Sequence, residues 1–106
     1  MPNTVINANA NLENFCIINT SVTLEHDAVI RSFCSISPNS VVCGYTKIDE
    51  GVFIGANSTI IHKLSIGSWS VVGAGSLIVK NTHPQKLYFG NPAKIIKKID
   101  KSKKIL

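Results

Sequence analysis

The sequence predicts an all-β fold, a parallel β-helix shaped as a three-sided prism with 18 residues per coil and a short C-terminal tail. Three observations predict it. A branched aliphatic recurs every six positions without insertion: Ile6, Leu12, Ile18, Leu24, Ile30, Ile36, Val42, Ile48, Ile54, Ile60, Ile66, Val72 and Ile78. Four residues after each stands a mostly small one, from Ala10 and Cys16 through Ser40 and Thr46 to Ser76 and Thr82, with Leu64 the bulky exception. A period of six fits neither the helical repeat nor the alternation of a meandering sheet, and the stretch lacks the Ala-, Glu- and Lys-rich segments that favour helix.

The elements follow in chain order. Asn3, Asn7, Asn9, Asn11 and Asn14 suit turns in the first coil. Short strands separated by turns at fixed spacing, each with an aliphatic and a small residue pointing inward, stack their coils about 4.8 Å apart, so residues eighteen apart form vertical columns. Each repeat buries its inward residues only against the coils above and below, and the ends need protection. Pro84 ends the repeat, which divides the chain into a hexapeptide-repeat β-helix over 1–84 and a C-terminal loop and basic tail over 85–106. Within that tail a short strand or loop is expected, Gly90, Asn91 and Pro92 predict a turn, and the pattern over 93–99 predicts one helical turn.

Length and charge bound the function. A chain of 106 residues is one small domain, which must bury apolar surface economically or share it with other subunits. No apolar run is long enough for a bilayer span or a signal-peptide core, so a soluble, cytoplasmic protein is expected. Cys16, Cys34 and Cys43 are too few and too scattered for a disulfide framework, and reduced thiols are expected. The net charge of +5 sits in the tail, where Lys94, Lys97, Lys98, Lys101, Lys103 and Lys104 face one acid, Asp100. A neutral body with a basic end argues against a nucleic-acid face. It suits a solvated tail or contact with a compact polyanion.

Counting by eighteen also assembles a candidate site. His26 lies two places after Leu24, at a turn, where its side chain points outward between Glu25 and Asp27. The next members of its column are Gly44, His62 and Lys80, and Cys43 stacks over Glu25. Histidine is the residue type that titrates nearest neutrality, which suits a general base taking a proton from a hydroxyl or amine. An exposed turn histidine without a role is the plainer reading. Asp27 reads equally as a turn residue bonding its own backbone, and Gly44 as a glycine that the turn requires. Cys16 and Cys34 share an inward column and read as core filling. Phe33, Phe53 and Trp69 fall outside the inward positions, where they would line subunit contacts or a cleft.

The chain resembles the left-handed β-helix domain of hexapeptide-repeat acyltransferases. Segments 16–20, 24–27 (Leu24-Glu25-His26-Asp27), 73–81 (opening Gly73-Ala74-Gly75-Ser76) and 90–94 (Gly90-Asn91-Pro92-Ala93-Lys94) are similar to the sialic-acid O-acetyltransferase and bacterial amino-sugar N-acetyltransferase branch. The resemblance implies the left hand of the helix, a homotrimer with clefts between subunits, and acetyl-CoA as co-substrate. It also implies a sugar-like small-molecule acceptor, with a place in surface-polysaccharide biosynthesis. It gives Asp27 the task of holding the His26 ring, with Glu25 the alternative, and Gly44 the task of stabilising a thioester oxygen as it gains charge. Three layers separate His26 from Lys80, roughly 14 Å, comparable to an extended pantetheine arm. The backbone at Gly73, Ala74 and Gly75 would bond the arm, and Lys80, Lys94 and Lys97, with the Asn91-Pro92 segment, would meet the phosphate end. The chain departs from the branch in two ways. It begins almost directly in the coils, where relatives carry an N-terminal sugar-nucleotide domain, and Ser35 stands where some relatives have a second histidine.

Two rival readings remain. The γ-class carbonic anhydrases hold zinc with three histidines, and His26 and His62 match the spacing of two of them. Gly67 occupies the third position and His83 lies beyond the coils, so no metal is expected. A non-catalytic trimeric module, or a fragment of a larger transferase, is the other; such a scaffold needs neither His26 with Asp27 nor the segment 90–94.

Overall fold

A computed structural model of the protein describes residues 4–99. Asn3 of the expected first turns, and Asp100, Lys101, Lys103 and Lys104 of the basic tail, lie outside the described residues. Thirteen two-residue strands follow one another at six-residue intervals from Val5–Ile6 to Leu77–Ile78. They form three parallel sheets, the faces of a solenoid consistent with the expected left-handed β-helix. The first face stacks Val5–Ile6, Thr23–Leu24, Val41–Val42, Thr59–Ile60 and Leu77–Ile78. The second stacks Asn11–Leu12, Val29–Ile30, Lys47–Ile48 and Ser65–Ile66. The third stacks Ile17–Ile18, Ser35–Ile36, Phe53–Ile54 and Val71–Val72.

The register between neighbouring coils is eighteen residues throughout the prism: Thr23 pairs with Val41 and Leu24 with Val42, as Thr59 does with Leu77 and Ile60 with Ile78. The second residue of each strand is the recurring aliphatic, and from Leu24 to Val72 every one is fully buried. These columns supply the hydrophobic free energy of the fold, about 1.5–3 kcal/mol per buried side chain.

The small inward residues have their own logic. Ser40, Thr46 and Ser58 are buried, and their hydroxyls donate to the carbonyls of Gly55, Ile61 and Gly73 at 2.9, 2.9 and 3.1 Å. Ser70 donates to His83 O at 2.8 Å, and the thiols of Cys16 and Cys34 reach Arg31 O and Asp49 O at 3.0 Å. In each case a turn carbonyl one coil up is satisfied from inside, so a polar group in the core carries no desolvation penalty.

Turns close through one left-handed residue in every six. Asn9, Phe15, Ser21, Asp27, Phe33, Asn39, Tyr45, Asn57, Lys63 and Trp69 have φ between 59 and 64°, and Gly51 and Gly75 continue the series at 71°. For residues other than glycine this region costs roughly 1–2 kcal/mol. Bonds from these residues to the coil below offset it: Asp27 N donates to Ala8 O, Tyr45 N to His26 O and Lys63 N to Gly44 O at 3.0–3.2 Å.

After the last coil the chain departs from the sequence expectation. Residues 93–99 form no helical turn; strands Lys86–Gly90 and Ala93–Lys98 make an antiparallel hairpin, joined through a cis Asn91–Pro92 peptide. The hairpin extends the third face, Lys86–Gly90 pairing in parallel with Val71–Val72. Tyr88 is buried within the core cluster, so the hairpin covers the open end of the core, and tertiary demand for a cap overrides a weak helical pattern. Among the described residues no helix is long and apolar enough to cross a membrane.

Ile54 is fully buried between coils on both sides. Ile54→Ala is expected to lower stability by about 2–5 kcal/mol in urea denaturation, because adjacent coils cannot close over the cavity. A change below about 0.5 kcal/mol would contradict the stacking.

Candidate active site

The edge between the first and second faces carries the turns at 25–28, 43–46, 61–64 and 79–82. On this edge Gly44 lies directly over His26: a Cβ at position 44 would stand 3.1 Å from Cε1 and 3.3 Å from Nε2 of the imidazole. A side chain at position 44 would sit tightly against the ring and its backbone, and Gly44 is not among the left-handed turn residues, so the turn itself does not require glycine here. The side chain of His26 is 57% exposed, and its Nδ1 lies 3.3 Å from Oδ2 of Asp27. Tyr45 meets the same imidazole edge to face, with ring centroids 5.2 Å apart and planes at 84°. Glu25, His26, Cys43, Gly44, Tyr45, His62 and Lys63 line a cleft of about 360 Å³.

Asp27 makes one contact through its backbone and another through its side chain, and the side chain bonds His26 rather than its own backbone. Its backbone is the left-handed turn residue, bonded to Ala8 O, while its carboxylate turns to the imidazole. In the tautomer whose Nδ1–H donates to Asp27, Nε2 carries the lone pair beside Gly44, where a proton can be accepted. Cys43 shares the cleft, but burial and then the negative charge of Glu25 push its thiol above the ordinary range, opposite to what a nucleophile requires. Among the described residues no three His, Cys, Asp or Glu side chains converge as a set of metal ligands.

The residues expected to hold a carrier fall into two groups. Lys80 and Lys94 line one cavity of about 300 Å³ at the capped end, together with Asn81, Thr82, His83 and Tyr88. Lys97 is exposed on strand Ala93–Lys98 opposite Leu87, outside that cavity. Gly73, Ala74 and Gly75 lie on the other edge of the first face, separated from the His26 edge by the strands of that face. Asn91 and Pro92 sit nearby, because Gly90 N donates to Ser76 Oγ at 3.2 Å and the Phe89 ring covers Gly73, where a Cβ would approach to 2.4 Å.

Other expectations resolve elsewhere. Phe33 stacks on Phe15 with centroids 5.4 Å apart, and the Trp69 ring covers Gly51; both features occupy the edge between the second and third faces, away from His26. Sequence reasoning missed Tyr45 and Lys63, which line the His26 cleft. The signal for both was present, since adding eighteen to Asp27 gives Tyr45 and then Lys63.

Comparison with known proteins adds to the geometry. Residues 27–62 and 45–80, together about half of the chain, match the family model described as bacterial transferase hexapeptide (six repeats). A probable macrolide acetyltransferase of Lysinibacillus sphaericus is 44% identical over 62 residues, which are 58% of this chain and 34% of that protein. A serine acetyltransferase from Neisseria gonorrhoeae superposes with a TM-score of 0.88 at 28% identity, over 93% of this chain and 43% of that one. A serine acetyltransferase from Brucella abortus, solved in complex with coenzyme A, superposes with a TM-score of 0.78 at 26% identity, over 86% of this chain and 40% of that one. The match thus spans about a third of the curated relative and under half of each solved chain.

The thiols give a check on this arrangement. Burial pushes the Cys34 thiol up to about 12, so in the folded protein at pH 8 it is expected to resist iodoacetamide and to react only after denaturation in urea, as read by mass spectrometry of its peptide. Rapid alkylation of Cys34 in the native state would contradict the inward column.

Proposed function

We propose, from the premise that this chain belongs to the bacterial transferase hexapeptide family, that it transfers an acetyl group from acetyl-CoA to a hydroxyl or amine of a sugar-type small molecule. The observation that carries the reading is His26, exposed on the prism edge, bonded through Nδ1 to Asp27 and facing the uncovered backbone of Gly44 with Nε2. His26 Nε2 takes the proton from the acceptor hydroxyl or amine as that atom bonds to the acetyl carbonyl carbon. Negative charge gathers on the carbonyl oxygen, near the Gly44 backbone, and Asp27 stabilises the imidazolium. When the C–S bond breaks, the imidazolium returns the proton to the departing thiolate, leaving free CoA and an acetyl ester or amide. No covalent enzyme intermediate is required, in keeping with a Cys43 thiol held in its protonated form.

Several observations support acetyl-CoA as the donor. The coenzyme A complex of the Brucella abortus enzyme shares this fold at 26% identity, and Lys80 and Lys94 supply two cations around one cavity at the far end of the His26 column. The similarity of segments 24–27, 73–81 and 90–94 to the sugar acetyltransferase branch supports the acceptor class, and a cleft of about 360 Å³ has the volume of a small-molecule site. We read the assembly as a homotrimer: the groups at Gly73–Gly75 and at His26 lie on different edges, so one carrier can meet both only where the edge of one subunit faces the other edge of its neighbour. Since acetyl-CoA is the donor, the setting is the cytoplasm.

His26→Ala is expected to lower kcat by about 10²–10⁴-fold in a thioester-cleavage assay with the acceptor present, while the chain stays folded. Transfer at the parental rate would remove His26 from the mechanism. Replacing both Lys80 and Lys94 by Ala is expected to weaken CoA binding at least about tenfold by calorimetry, through two lost charge-assisted contacts. Unchanged affinity would place the phosphates elsewhere.

A further inference from the structure

We propose that Tyr45 is the positioning residue for the His26 imidazole, holding the ring so that Nε2 faces the space over Gly44; this rests on the reading of His26 as the general base. Little else restrains the ring. Nδ1 has one partner, Asp27 Oδ2, at 3.3 Å, and the side chains of the two residues are 57% and 33% exposed. A single long bond at the surface leaves the imidazole free to pivot about it. On the side of Cε1 and Nε2 stands Gly44, which has no side chain to act as a wall. The absence that opens the site to an incoming thioester therefore also leaves the ring unsupported, and Tyr45 supplies the second contact, edge to face with centroids 5.2 Å apart.

The backbone makes this contact a fixed one. Tyr45 N donates to His26 O at 3.2 Å, which ties the two residues across the coil boundary. Tyr45 itself is left-handed, with φ of 59°, a conformation for which an aromatic residue is poorly suited. The equivalent turns use Asn9, Ser21, Asp27, Asn39, Asn57, Lys63 and the glycines 51 and 75 as well as Phe15, Phe33 and Trp69, so the turn accepts a ring without calling for one. Nor does the core, because Tyr45 is 58% exposed. Phe15 and Phe33 show the alternative use of aromatics at this position, stacking on each other up their own column. Tyr45 has Asp27 and Lys63 as column neighbours and no aromatic above or below, and its ring crosses to the adjacent column to reach His26.

The test compares the parent with Tyr45→Phe, which keeps the ring, and Tyr45→Asn, which removes it while retaining a residue that accepts the left-handed turn. The readouts are the Cε1–H resonance of His26, assigned with His26→Ala, and kcat and KM for acetyl transfer. Tyr45→Asn is expected to shift the resonance through loss of the ring current and to lower kcat by about two- to tenfold with KM nearly unchanged, as loss of one aromatic contact implies. Tyr45→Phe is expected to restore both. A His26 resonance that does not move in Tyr45→Asn, or a rise in KM at constant kcat, overturns the proposal. If the parent transfers no acetyl group, or His26→Ala transfers as well as the parent, the reading of His26 as base falls instead, and the resonance alone decides whether Tyr45 holds the ring.

Discussion

One residue in every six is forced into the left-handed region, and its N–H reaches a carbonyl of the coil below; the rest of the molecule depends on this stitch. It sets the corner of the prism and, repeated three times, returns the chain above its own starting point after eighteen residues. The buried aliphatic columns then reward that register and no other, since a shift of one residue would expose the aliphatics and bury the outward side chains. Because each coil contacts only its neighbours, stability accumulates coil by coil and corner side chains are free to vary. His26, Asp27, Gly44 and Tyr45 all occupy such corners. A reactive edge can thus be built without cost to the core.

The fold was legible because a six-residue period with two inward positions has few physical solutions. Columns were legible for the same reason, and His26 over Gly44 follows from counting. What stayed hidden depended on side-chain direction or on the ends. The Tyr45 ring turns toward the neighbouring column, which spacing cannot show although spacing does place the residue beside the site. The hydroxyls of Ser40, Thr46 and Ser58 fit an inward small position by size, but their bonds to turn carbonyls fifteen residues on appear only in three dimensions. Only the second strand of the hairpin was misread as helix, because Ala93–Lys98 alternates poorly and leaves Ile95 and Ile96 exposed, while the need to cap the core acts through Tyr88.

Separation of the candidate carrier residues onto two edges has a physical consequence. Within one subunit the face carrying Thr23, Val41, Thr59 and Leu77 outward divides Gly73–Gly75 from His26, and an extended carrier cannot touch both while lying in a single groove. Lys80 and Lys94 by contrast share a cavity at the capped end of the His26 edge. Capping hairpin and cation pair are therefore one device. The strand that protects the open core also brings Lys94 beside Lys80, so the element that stability requires also gathers two cations at the end of the solenoid.

On the proposed mechanism the acyl carrier runs from His26 toward Lys80 along one edge, built from positions eighteen apart. A crystal structure of the protein with CoA bound tests this most directly. The thiol is expected beside His26 Nε2 at the Gly44 layer, with the phosphates at Lys80 and Lys94. A CoA molecule whose thiol lies on another edge, out of reach of His26, would contradict it.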